Sequence, residues 1–444
     1  MGIFETKGAL GIPAEPELLL SVNLARLGRR WPGITTEIEA AEVPEVELVE
    51  GAFDGLCGFT ARVRGVQLTS AYDRLAEAHL QAERIDSEAR EATVYGLGLG
   101  DLVRDVLARP QLETVRLVLF EPGIAKLGLA LGGDADWIDD ARLELAWARD
   151  EPGLTEPFAA VPPALQFAED RALVLRDAVG AKLQEGFATE RWNERLLVLE
   201  QHIAANEELV ATGGNVEDVF GSAAGCRAVV VGPGPTLVEH MDMLRAHREG
   251  AQLIVISTAL GPVLSAGLQP DFVVMIDSHS IVPFAPEEAQ RLEAVPLVCV
   301  PEVQRATLEA WPGPRLFAYL RRPRYAALAK RHPRGELWTE GTVAHSAVDL
   351  AVKLGAQAVE LFGLDFSYPG GASHSPGTPD YVQQHGADQG RTLLDGHGAR
   401  VASDPNLMGY LRDLEAFVAR HPEVTFARAG QSAAAVQGVA WINS

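Results

Sequence analysis

Residues Val229-Val230-Val231-Gly232-Pro233-Gly234-Pro235-Thr236-Leu237 constrain the fold of this chain more than any other stretch. An apolar β-branched run stops at Gly-Pro-Gly-Pro, and a helical pattern begins at once. Strand, glycine turn and helix in that order belong to an α/β sheet, where the turn and the helix N-terminus face one point beyond the strand. An anion is expected there, most simply a nucleotide phosphate, on Gly232, Gly234, Pro235 and Thr236. No G-x-x-x-x-G-K-[ST] loop is present, and Pro233 and Pro235 lack N–H donors. A single phosphate suits such a turn better than a triphosphate.

The pattern continues to the end of the chain. Apolar runs at 227–231, 252–257, 272–276, 296–300, 315–318 and 357–362 alternate with helical patterns at 236–249, 258–266, 343–354 and 404–420. Continuously apolar strands between helices predict a doubly wound parallel sheet, whose ligands bind beyond the carboxyl ends of the strands. Ser257-Thr258, Asp277 and Gly363-Leu364-Asp365 each end a strand, and Gly341-Thr342 opens a helix. Thr258, Asp277, Gly341, Thr342 and Asp365 therefore join the expected nucleotide-binding set. Asp277 and Asp365 at one rim would also suit Mg²⁺, which takes oxygen ligands. His345, His374 and His279 are candidate general bases, since imidazole titrates near neutrality. His374 lies in a Gly/Ser/Pro-rich loop from Tyr368 to Asp380, and Arg321, Arg322 and Arg324 form a small basic cluster.

The N-terminal part predicts a smaller Rossmann-like α/β domain over 1–161. Short strands are expected at 21–24, 46–48 and 59–63, and a helix at 70–90. A strand at 92–95 runs into Gly96-Leu97-Gly98-Leu99-Gly100, and a second at 115–120 closes on Glu121. This βαβ unit resembles the nucleoside end of class I methyltransferases, where the acid holds ribose hydroxyls. The alternative is that its glycines serve only strand–helix packing. Residues 162–220 read as a helical connector and 221–444 as the nucleotide-binding catalytic domain.

Acidic residues number 61 against 38 basic ones, a formal charge of −23. Such a surface repels polyanions, so nucleic acid and anionic lipid are not expected partners. No apolar stretch approaches the ~18 residues of a membrane span, and Met1 to Pro16 lacks a signal-peptide pattern. Cys57, Cys226 and Cys299 show no metal-binding spacing. A cytoplasmic protein with free thiols is expected.

Gly232-Pro233-Gly234-Pro235-Thr236-Leu237 resembles the G-x-G-P-S-L turn of the bacterial motility accessory factor family. Thr258-Ala259-Leu260, Gly267-Leu268-Gln269-Pro270-Asp271 through Asp277, Gly341-Thr342-Val343-Ala344, Gly363-Leu364-Asp365-Phe366 with His374, and Ala427-Arg428-Ala429-Gly430 resemble further stretches of that family, in order. The resemblance covers about 225–444; Ser70-Ala71-Tyr72-Asp73 and the Gly96–Gly100 turn resemble its N-terminal domain more loosely. It implies a sialyltransferase-like core and transfer of a CMP-activated nonulosonic sugar to a Ser or Thr hydroxyl of a protein such as flagellin, or to a glycan. His374 or His345 would be the base, and no cofactor is required. The same core occurs in archaeal 6-hydroxymethyl-dihydropterin diphosphokinases, which use ATP and Mg²⁺, so a diphosphotransferase is the second implied function. Ser257 and Leu364 depart from the family pattern, which leaves a non-catalytic nucleotide-binding relative as the third.

Overall fold

The computed structural model describes residues 15–50, 59–71, 73–279, 284–379, 381–382 and 391–442; of Glu50 and residues 184–195 it describes the backbone alone. Residues 1–14, Cys57, Tyr72 and Asp380, which entered the sequence reading, lie outside the described residues. The chain is mixed α/β and divides into two compact units, Met1–Leu183 and Gln184–Ser444.

The first unit opens with helix α1 (Pro16–Arg30), where a strand was expected at 21–24. Leu20, Asn23 and Leu27 are buried on one side of it, a three-to-four-residue spacing that the short alternation at Ser21–Leu24 conceals. Among the described residues, Val46–Glu50, Phe59–Val63 and Val66–Gln67 pair as a small antiparallel sheet, and four parallel strands form the main sheet of this unit: β1 (Glu91–Tyr95), β2 (Thr114–Leu119), β3 (Leu143–Trp147) and β4 (Phe158–Ala160), in the order β3-β2-β1-β4. The Gly96–Gly100 turn follows β1 and leads into α2 (Asp101–Leu107); β2 leads into α3 (Pro122–Leu131). One apolar core, from Leu20 to Phe167, fills the unit. Helix α4 (Leu173–Ala205) carries the chain from the first unit into the second.

Among the described residues, the main sheet of the second unit has nine parallel strands. In chain order they are β5 (Gly214–Asn215), β6 (Arg227–Val231), β7 (Ala251–Ile256), β8 (Phe272–Met275), β9 (Leu297–Cys299), β10 (Arg315–Phe317), β11 (Ala358–Phe362), β12 (Thr425–Arg428) and β13 (Ala440–Trp441). In space they run β13-β12-β11-β6-β7-β8-β9-β10-β5. The order reverses between β6 and β11, which is the topological switch point of the sheet. Every described residue of β7, β8 and β9 except Gln252 is buried, as expected for strands covered on both faces.

After β6 the chain does not enter a regular α-helix as the periodicity predicts. It makes a 3₁₀ segment, Pro235–His240, before α5 (Met241–Arg248). Helix α6 (Val343–Lys353) packs on β6, β7 and β8 and leads into β11. It returns the chain against the strand direction, so its N-terminus lies at the carboxyl ends of the strands. Helix α7 (Pro405–Arg420), capped by Asp404, does the same before β12.

Candidate functional site

The carboxyl ends of the adjacent strands β11, β6, β7 and β8 bring Gly363–Asp365, Gly232–Thr236, Ser257–Thr258 and Asp277 to one rim. Gly341 and Thr342 join them from the start of α6.

The turn after β6 is closed on the protein itself. Gly232 N–H donates to Phe362 O at 2.8 Å, Gly234 N–H to Gly363 O at 2.7 Å, and Leu237 N–H to Gly234 O at 3.0 Å. Thr236 gives its N–H and its hydroxyl to the two oxygens of Asp365, at 2.7 and 2.6 Å. Pro233 and Pro235 have no N–H. Every donor from Gly232 to Leu237 is thus committed, and a phosphate on this turn would have to displace one. This corrects the role expected for Gly232, Gly234, Pro235 and Thr236. The 3₁₀ start removes the helix-dipole argument as well, because a six-residue segment of that kind presents no developed macrodipole.

The glycines have a packing reason. A Cβ on Gly232 would lie 2.7 Å from Gly363 O, and one on Gly234 would lie 2.6 Å from the Asp365 carboxyl group. Gly363, at φ +62°, would bring its Cβ within 2.4 Å of Gly232 O. The ends of β6 and β11 approach backbone to backbone, which only glycine permits.

Asp365 is buried at 3% exposure. Burial pushes its carboxyl up from the usual range, while Arg428 at 3.8 Å and the Thr236 bonds oppose the rise. Asp277 is the opposite case, exposed at the end of β8, where its Oδ1 accepts from His279 N–H at 2.9 Å. Two strands, β6 and β7, separate the strands that carry these acids. At about 4.8 Å per strand the acids stand roughly 14 Å apart, too far to share one Mg²⁺. The expected Asp277–Asp365 metal pair therefore does not fit. Among the described residues no group of three or more His, Cys, Asp or Glu side chains is placed to hold a metal.

The three histidines differ sharply. His345 is fully buried on α6. Its Nδ1 accepts from Glu340 N–H at 3.2 Å and its Nε2 donates to Tyr410 O at 2.8 Å, while its ring stacks on Trp338. Burial holds its pKa down to about 4. The neutral ring has its one lone pair occupied, so His345 is a structural tie between α6 and α7 and not a general base. His279 is exposed at the rim, with Nδ1 3.1 Å from Ser278 Oγ and 3.5 Å from Asp277 Oδ1. His374 is half-buried in the loop expected to carry it. That loop is fastened to the turn by its next residue: Ser375 N–H donates to Pro233 O at 2.7 Å and Ser375 Oγ to Gly234 O at 2.6 Å. His374 is thereby held beside the turn.

Gly341 has φ +124°, and its N–H donates to Thr339 Oγ1 at 3.1 Å. Thr342 caps α6, with Oγ1 accepting from Ala344 N–H at 3.4 Å. Thr258 is half-buried in the short 3₁₀ turn after β7. Of the expected set, Thr258, Asp277, Gly341 and Thr342 remain at the rim, with the Gly341 N–H and the Thr342 hydroxyl already engaged within the protein. Arg324 of the basic cluster pairs with Glu302, and Arg321 with Glu336, so those two cations are locally compensated.

The glycine turn of the first unit is also filled. Gly96 N–H donates to Val118 O at 2.8 Å, and a Cβ on Gly96 would lie 2.5 Å from Ala164 Cβ. The space between Gly96 and Glu121 is about 10 Å³. Glu121 caps α3 by accepting from Ile124 N–H at 2.5 Å. Glycines that serve strand–helix packing, the alternative to a nucleoside site, account for this geometry.

Sequence reasoning gave no role to Ser375 or Arg428. Ser375 carries no signal beyond its place beside His374, whereas Arg428 stands in the quoted Ala427–Gly430 stretch, where an arginine ends an apolar strand beside glycine.

Residues 201–371 match the family model described as 6-hydroxymethylpterin diphosphokinase MptE-like. No curated protein matches the chain in sequence. Among solved structures, the chain is similar to the MAf glycosyltransferase from Magnetospirillum magneticum AMB-1, at 16% identity over 96% of this chain and 74% of that one, with a TM-score of 0.42. It is similar to spermidine synthase from Thermotoga maritima at 15% identity over 30% of this chain and 50% of that one, with a TM-score of 0.22. Dipicolinate synthase A chain from Bacillus subtilis is similar at 11% identity over 61% of this chain and 96% of that one, with a TM-score of 0.17. The matched family segment contains every rim residue named above, from Gly232 to Asp365.

Proposed function

We propose that the second unit is a nucleotide-dependent transferase working over the carboxyl ends of β6, β7 and β8, with a CMP-activated nonulosonic sugar as donor. The observation that carries this reading is that the exposed Asp277 and His279, at the carboxyl end of β8, share the rim of the sheet with the start of an eleven-residue helix. The donor phosphate would sit at Gly341 and Thr342, where the α6 dipole favours an anion, and not on Gly232–Thr236. Asp277 and Thr258 would bind ribose or sugar hydroxyls. An acceptor hydroxyl, of a protein Ser or Thr or of a glycan, would attack the anomeric carbon. A new C–O bond forms, the bond to the phosphate oxygen breaks, and CMP leaves with the electron pair. His374 or His279 would take the hydroxyl proton; a positioned base of this kind contributes roughly 10²–10⁴ in rate. A cytoplasmic setting is part of the proposal; among the described residues no helix is long and apolar enough to cross a membrane.

Calorimetry with CMP, CTP and ATP, each with and without Mg²⁺, tests the reading. CMP binding that ignores metal, and transfer from a CMP-sugar that falls by about 10² or more in His374→Ala or His279→Ala, is the expected result. Strictly Mg²⁺-dependent ATP binding, with diphosphoryl transfer to a hydroxymethyl pterin, would replace it by the activity that the matched family model is named for. Binding of neither nucleotide would leave a non-catalytic relative.

A further inference from the structure

A second pocket lies on the other flank of the switch point, away from β7 and β8. Its walls come from the 3₁₀ segment and helix that follow β6, the turn after β12, the end of β13, and the loop tip at His397. It encloses about 470 Å³, within the roughly 300–1,000 Å³ range of small-molecule sites. The lining is largely polar: Glu239, His240, His397, Arg428 and Gln431, with Trp441 as the aromatic wall. Two imidazoles and a guanidinium gathered against one carboxylate stand out in a chain of net charge −23.

Arg428 is the group that points to a ligand. It is the largest fully buried side chain described, at 1% exposure. Its Nη1 donates to Ala434 O and its Nη2 to Leu364 O, the latter at 3.1 Å. Its Nε is buried with no hydrogen-bond partner among the described residues. Asp365, the acid beside it, has both oxygens engaged by Thr236 and stands 3.8 Å away. Burial draws the guanidinium pKa down to about 10, a sign of incomplete compensation. An oxyanion on Nε would complete it. The guanidinium carbon lies 5.2 Å from the Trp441 ring centroid, so the anion and ring subsites adjoin.

We infer that this pocket binds a phosphomonoester carrying a polar ring, with the phosphate on Arg428, His240 and His397, the ring against Trp441, and its hydroxyls on Gln431 and Glu239. The inference does not depend on the rim reaction proposed above.

Calorimetry on the full chain with ribose 5-phosphate, CMP, inorganic phosphate and ribose tests it. Ribose 5-phosphate is expected to bind one per chain, at least tenfold more tightly than phosphate or ribose. His397 and Ser432 are exposed pocket residues, so His397→Glu and Ser432→Trp should fold normally. Each should weaken ribose 5-phosphate binding at least tenfold, whereas His279→Ala at the rim should leave it unchanged. If CMP binds and is lost in Ser432→Trp, the pocket takes nucleotides, and the rim assignment of the donor falls while this one stands. CMP binding lost in rim variants and kept in Ser432→Trp, with ribose 5-phosphate binding lost there, supports both sites and makes sugar phosphates the ligand here. No saturable binding of either ester, or ester binding indifferent to both pocket variants, overturns the inference.

Discussion

Asp365 and Arg428 are buried together, so neither can be removed alone without exposing the other to an uncompensated interior. Asp365→Ala should cost about 3–5 kcal/mol in urea unfolding, because it strands the guanidinium and frees two donors on Thr236. Gly234→Ala should cost about 2 kcal/mol, since its methyl group would meet the same carboxylate at 2.6 Å. CMP affinity per folded molecule should not change in Gly234→Ala; a large loss would return the phosphate to the turn. At this scale the sequence reveals which residues matter better than why. Gly232, Gly234, Thr236 and Asp365 stand out by type and spacing, but a committed N–H and an open one look alike in a sequence. Only the register of β6 against β11 shows that the Gly232, Gly234 and Thr236 donors already have acceptors on the neighbouring strand end.

Helices α6 and α7 meet at groups that titrate in opposite senses. His345 has its pKa held near 4, below the ordinary 6.5. Between those values the unfolded chain binds the proton more readily, so stability falls as pH drops from 6.5 to 4, by roughly 3 kcal/mol in all. Half-buried Asp413 on α7 is raised by burial, and then by Glu340, to about 6. Here the folded state binds the proton more readily, so stability rises as pH falls from 6 to 4. Discounted for the solvent on its open side, this is about 1 kcal/mol. Urea midpoints measured from pH 4 to 8 should flatten in His345→Gln and steepen in Asp413→Asn. A profile unaltered by His345→Gln would mean that the imidazole is not held neutral. The helices themselves are legible from their apolar spacing and from the Thr342 and Asp404 caps. The burial of His345 is not, because Gly-Thr followed by an imidazole reads equally well as a ligand cradle. The strand expected at Ser21–Leu24 failed for the complementary reason: four residues are too few to separate a period of two from one of 3.6.

At the scale of the whole molecule, each unit has a separate apolar core, one from Leu20 to Phe167 and one from Ile203 to Val439. Scanning calorimetry should therefore show two transitions. CMP at 100 times its dissociation constant should add about 2.7 kcal/mol to the transition of the 184–444 unit alone. A single transition moved as a whole would show that the two cores melt as one. The parallel sheet was legible because its strands are short, apolar and separated by helical patterns. The division at 183 was not, since it falls within one continuous helix, Leu173–Ala205. The back-to-back turns at Gly232 and Gly363 carry a last consequence, for grafting. Each backbone occupies space that a side chain on the other would need, so the two segments are inherited as a pair. A chimera that takes 227–240 from a distant donor should fold only when 358–366 comes from the same donor. Far apart in the chain, the two stretches behave as a single heritable part, because a methyl group on one glycine would strike the carbonyl of the other.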